Sequence, residues 1–127
     1  ISLSVVAIEV ARRVGVALVG VGMPGHFLVG DGADPTWYAD PFNGRTAMTE
    51  ADCRAMYESM GGGRWSPSML APTSNRLVIA RMLNNLRAAC QRDGDLVRLA
   101  IVMQLRQQLP EFASEAAAAE HASAILN

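Results

Sequence analysis

His26 and Asp40 are the two side chains of this chain whose types and spacing could do chemistry together. His26 lies in the run Gly20-Val21-Gly22-Met23-Pro24-Gly25-His26-Phe27-Leu28-Val29 and is the only histidine in the first 120 residues. Asp40 follows fourteen residues later, in Tyr38-Ala39-Asp40-Pro41-Phe42-Asn43-Gly44. Each belongs to a short strand-like run, with a turn between the runs. Neighbouring strands would then present an imidazole and a carboxylate side by side. A carboxylate that holds a histidine tautomer is half of the machinery that activates a thiol or hydroxyl nucleophile. Taken singly, His26 reads as a core histidine and Asp40 as an Asx turn before Pro41. The pair says more than either residue, and what it lacks is a nucleophile.

The other candidates are weaker. Cys53 and Cys90 each fall on the apolar stripe of a helical pattern, where a thiol is a small hydrophobe with a raised pKa. No Cys/His spacing fits a metal, since His26 and His121 are remote, and no cofactor motif is present. Gly61-Gly62-Gly63 lacks the companions of a phosphate loop and reads as a flexible loop carrying the large aromatic Trp65. Trp65, and Asn43 in the turn after Asp40, are the candidates for contacting a ligand. The arginines at 76, 81, 87, 92 and 98 do not share a helical face and read as solvated.

Composition sets the class. With 127 residues, half of them apolar and 18% charged, the chain is one domain or one compact unit of a longer protein. A net charge of −1 offers neither nucleic acid nor an anionic membrane a footprint. All eleven basic residues are arginine, so the chain has no lysine amine for acyl transfer. Two cysteines without a CxxC point to a reduced, cytoplasmic protein. No apolar run reaches the ~18 residues of a membrane span. The chain opens at Ile1 without a Met, in mid-pattern, and reads as a fragment.

The elements that must hold His26 and Asp40 follow from periodicity. Residues 2–14 read as a mostly buried helix with the stripe Leu3, Val6, Val10 and Val14, capped by Ser2 or Ser4 and ended by Gly15. Residues 16–22 and 25–30 read as a hairpin, with His26 and Leu28 on one face, and 36–39 as the next strand. Asn43-Gly44 is a turn. Residues 49–60 form a helix opened by a Thr49/Asp52 capping box, with Cys53, Met56, Tyr57 and Met60 on one face. Two further helices, 73–92 and 95–109, should pair antiparallel through Leu83, Leu86, Leu99 and Met103, the first burying Ile79, Leu83, Leu86 and Cys90. An alanine-rich helix is expected over 114–126.

The sequence Arg12-Arg13-Val14-Gly15, then GMPGHFLV, then DPFNG resembles the bacterial SirB-type transglutaminase-like family. Arg81-Met82-Leu83-Asn84-Asn85-Leu86, Gly94-Asp95 and Pro110 extend the likeness to about residue 110; there the family continues Arg-Asp-Arg-Gly, and this chain has Glu111-Phe112-Ala113. The resemblance implies an α+β fold: a partial papain-like transglutaminase core over 1–68, then tetratricopeptide-like helical hairpins over 69–127. It implies His26 as base and Asp40 as its orienter, with the nucleophilic cysteine position at or just before Ile1. In that family the cysteine is often replaced. The expected function is thus a degenerate transglutaminase-like domain with a regulatory role and a protein or peptide partner. The alternatives are a cysteine-type amide hydrolase or acyl transferase with its nucleophile upstream of Ile1, and a helical-repeat interaction module.

Overall fold

The computed structural model describes residues 1–114. The helix expected over 114–126, and His121 with it, falls outside the described residues beyond its first position. The fold is α+β, and the chain divides into two compact units, Ile1–Asn75 and Arg76–Asn127.

The first unit opens with α1 (Ser2–Arg13), followed by β1 (Leu18–Val21), β2 (Leu28–Asp31), β3 (Tyr38–Asp40) and β4 (Arg45–Met48), and then α2 (Glu50–Ser59). The strands form one antiparallel sheet in the order β1-β2-β3-β4. This matches the expected hairpin and third strand. The fourth strand was not anticipated: Arg45-Thr46-Ala47-Met48 is mostly exposed and interrupted by Ala47, whose φ of 56° sits in the left-handed region. That residue supplies the bulge between the Asp40↔Arg45 and Tyr38↔Met48 pairings.

Val21, Met23, Leu28, Tyr38 and Met48 build a core with Cys53 of α2 and Leu70, with Met56, Tyr57 and Trp65 packed against it. Alternation turns Val29 and its register partner Ala39 to the other face of the sheet, where α1 packs on β1 and β2. The expectation for α1 was rotated. Its buried residues are Ser4 and Ala11, while Leu3, Val6, Val10 and Val14 are all more than half exposed. Bulk misled that reading, because close approach of a helix to a sheet selects small side chains at the contact. Ser4 is not a cap; its Oγ donates to the Phe27 carbonyl at 3.4 Å and ties the first turn of α1 to the segment carrying His26. Gly15, at φ 79°, ends the helix as expected.

α2 begins with the Thr49/Asp52 capping box and ends in a Schellman motif, with Gly61 N–H on the Glu58 carbonyl and Gly62 N–H on that of Tyr57. A short 3-10 turn, Pro67–Leu70, leads into a strap along β1. Val21 bridges to Pro72, Thr73 N–H donates to the Gly20 carbonyl at 2.8 Å, and Gly22 N–H donates to Thr73 Oγ1 at 3.2 Å. The first unit thus runs past residue 68 and takes in these residues.

The second unit holds most of α3 (Asn75–Asp93) and α4 (Leu96–Gln107), joined through Gly94 and the Asp95 cap, whose carboxylate accepts from Arg98 N–H at 2.9 Å. Its core is Ala80, Leu83, Cys90, Val102 and Phe112, with Leu99 and Leu109 against it. Ile79 and Leu86 were expected in this stripe, but they are about half exposed. The buried face runs through Ala80, Leu83 and Cys90 instead. Glu111-Phe112-Ala113 turns back so that Phe112 enters the core, with the buried guanidinium of Arg106 3.7 Å above its ring and donating to Asn84. Among the described residues, no helix is long and apolar enough to cross a membrane.

Candidate active site

The β2–β3 register pairs Val29 with Ala39 and Gly30 with Tyr38, and carrying it on sets Asp40 opposite Leu28. His26 lies two residues before Leu28, in the loop that enters β2 rather than in the strand itself. The turn at Pro24-Gly25, with Gly25 at φ 80° and His26 N–H on the Met23 carbonyl, brings the imidazole back over the end of β3. His26 Nε2 lies 2.9 Å from Asp40 Oδ2, with His26 18% exposed and Asp40 fully buried. The separation is that of a hydrogen bond, but the Nε2–H direction is off the line to the oxygen, so the contact is a close electrostatic one. With Nε2 against the carboxylate, Nδ1 is the nitrogen left to exchange a proton.

Asp40 is the hub of this arrangement. Its Oδ1 accepts the backbone N–H groups of Phe42 at 3.0 Å and Asn43 at 3.3 Å, and its Oδ2 accepts Asn43 Nδ2–H at 2.6 Å. Burial pushes this carboxyl upward, but the contacts from His26 and Asn43 outweigh burial and hold it below the usual aspartate range. Asn43 is therefore joined to the pair. Trp65 is not: its ring stands 5.7 Å from that of Tyr57, and its Nε1–H donates to Glu50 at 3.3 Å. A shallow cleft of about 180 Å³ lies beside His26, lined by Pro24, Gly25, Tyr57, Met60, Gly61 and Gly62. Trp65 bears on this cleft by bracing Tyr57. Gly62 is needed there too, since a Cβ at that position would stand 2.5 Å from the Tyr57 ring.

Two contributors were not assigned these roles from the sequence, where Phe42 was only part of the DPFNG motif and Ser4 only a candidate helix cap. Phe42, two-thirds exposed, sets its ring edge-on to that of His26 at 6.2 Å. Ser4, a fully buried hydroxyl, holds the start of α1 beside Phe27. A lone serine on the buried side of an apolar helix was the available signal, because a buried hydroxyl needs a partner. Cys53 is sealed in the first core, where burial first and the nearby Asp52 next push its thiol up to about 11; Cys90 is sealed in the second. No group of three His, Cys, Asp or Glu among the described residues is placed to hold a metal.

Residues 1–84, which carry this whole arrangement, match the transglutaminase-like superfamily. The chain belongs to that superfamily. Within this transglutaminase-like chain, 94 residues are 39% identical to a UPF0162 protein of Xylella fastidiosa, covering 69% of the chain and 34% of that relative. A UPF0162 protein of Pseudomonas aeruginosa is 37% identical over 97 residues, covering 75% of the chain and 35% of the relative. The chain thus spans about a third of the length of the curated relatives it matches. No solved structure matches it.

Proposed function

We propose that this is a transglutaminase-like domain of the SirB type, in which His26 and Asp40 are the retained base half of a degenerate site and now serve a regulatory, peptide-binding role. The observation that carries this reading is the state of Asp40. It has no exposed surface, and its oxygens are occupied by its own turn and by His26. It thereby fixes the loop before β2 to the turn after β3, a structural task that survives loss of turnover. Within these 127 residues the two thiols, Cys53 and Cys90, each lie in a core. Asn43 and the cleft braced by Trp65 would contact the partner, a protein or peptide, and α3 with α4 would form a tetratricopeptide-like hairpin of their own. Two unpaired cysteines favour the cytoplasm, and the balance of eleven basic against twelve acidic residues disfavours nucleic acid.

A working enzyme is the second reading, and Ser4 favours it. By tying the first turn of α1 to Phe27, Ser4 sets a helix N-terminus beside His26, and that environment stabilises a thiolate. The test is to assay the full-length protein for glutamine deamidation and amine incorporation, and to titrate it with iodoacetamide. No turnover and no fast-reacting thiol are expected. Turnover that His26→Gln abolishes would replace the degenerate reading with the enzymatic one.

A further inference from the structure

The oxygen of Asp40 that meets His26 is shared. Asn43 Nδ2–H reaches Oδ2 at 2.6 Å, inside the 2.9 Å of His26 Nε2. The amide bond is short, whereas the imidazole contact is off line. A carboxylate oxygen that already accepts a short hydrogen bond has less negative charge to offer an adjacent imidazolium.

We propose that Asn43 is a positioning residue for His26: through the shared oxygen of Asp40 it sets the pH at which His26 takes up a proton. This rests on the reading of His26 and Asp40 as one unit. Residue 43 grips both oxygens, Oδ1 through its backbone N–H and Oδ2 through its side chain, so a single residue fixes the plane of the carboxylate. Gly44, at φ 66°, closes the turn that permits this double grip.

The surroundings leave that task to Asn43. The element before β2 brings His26 itself, and α1 brings the neutral Ser4, which donates to a carbonyl. On β4, Arg45 is the register partner of Asp40, but its Nη2 reaches toward Asp52 at 3.9 Å. Asp52 in turn is held by Thr49 in the capping box of α2. Among the described residues, His26 is the one charged or titratable side chain paired with Asp40, and Asn43 is the neutral side chain competing for it.

The experiment is an NMR pH titration of the His26 ring protons in the full-length protein, assigned by their loss in His26→Gln. Asn43→Ala and the near-isosteric Asn43→Leu should each raise the His26 midpoint by about half to one unit, a three- to tenfold gain in proton affinity. A shift under about 0.2 unit in both variants, with a dispersed native spectrum, would overturn the proposal and leave Asn43 as a turn-former. If neither variant folds, the wild-type side-chain amide of Asn43 decides. Its proton shifts should track the His26 titration, and shifts that stay constant would overturn the proposal. Asp40→Asn separates the two levels, because turnover is not the readout. If that change leaves His26 titrating as before, the His26–Asp40 unit itself is wrong. If it moves the midpoint while the Asn43 variants do not, only the role of Asn43 fails.

Discussion

Replacing Asp40 with Asn tests the hub most directly, since it keeps the shape and removes the charge. One oxygen remains to accept from the N–H groups of Phe42 and Asn43. The other becomes an amide nitrogen, facing Asn43 Nδ2 at 2.6 Å and His26 Nε2 at 2.9 Å, donor against donor. Hydrogen bonds to charged groups contribute roughly 1.5–3 kcal/mol each, and a rotated Asn43 amide would recover part of the loss. The expected cost at pH 7 is therefore about 2–3 kcal/mol, or a urea midpoint lowered by about 1–2 M at the slopes usual for small units. Hydrogen exchange should place the loss at the ends of β2 and β3. The gap must also close in acid. Asp40 ionises in the folded protein below its unfolded value, so its contribution is complete above about pH 4 and fades as pH falls through the depressed folded value. A change under about 0.5 kcal/mol at pH 7, or a gap that persists in acid, would refute the hub.

Three further outcomes follow from particular residues. Cys53, buried and with its thiol at about 11, should resist iodoacetamide in the native protein at pH 8, and rapid labelling would show that its core is open. Ala47→Gly should raise the melting temperature, gaining about 0.5–1 kcal/mol as relief of left-handed strain exceeds the added unfolded-state entropy; a loss would place the bulge elsewhere. Leu83→Ala should cost roughly 2–5 kcal/mol in denaturant melts and Leu86→Ala under about 0.5, with equal losses refuting the rotated stripe of α3.

The parts of this fold that were legible in sequence are those written in local chemistry. Gly15, Gly25 and Gly44 marked chain reversals, Thr49 and Asp52 marked a helix start, and the spacing of His26 and Asp40 across a turn marked two side chains bound for one place. What escaped depends on partners distant in the chain. Which face of α1 is buried turns on how close the sheet comes, and Ser4 and Ala11 win that contact over larger neighbours. β4 has almost no apolar alternation, because its placement rests on pairing with β3 and on one left-handed alanine. The burial of Arg106 depends on Phe112, whose ring covers it and which no local pattern ties to it. For Asn43 the residue type was suggestive, but only the shared oxygen reveals that it acts on the carboxylate rather than facing outward.

The strap over residues 71–73 has a consequence for how this sheet behaves in a crowded cell. An edge strand with open N–H and C=O groups recruits other strands and seeds aggregates, and β1 would be such an edge. Pro72 lies along it with no N–H to offer a newcomer, while Thr73 takes up the free groups of Gly20 and Gly22. The opposite edge, β4, is protected differently: its bulge at Ala47 breaks the regular spacing that a docking strand would need. A protease cut or truncation just after Leu70 would spare every member of the first core and still uncover β1. Such a species should keep the aromatic near-UV signal of the first core while losing solubility, and turbidity would report it first.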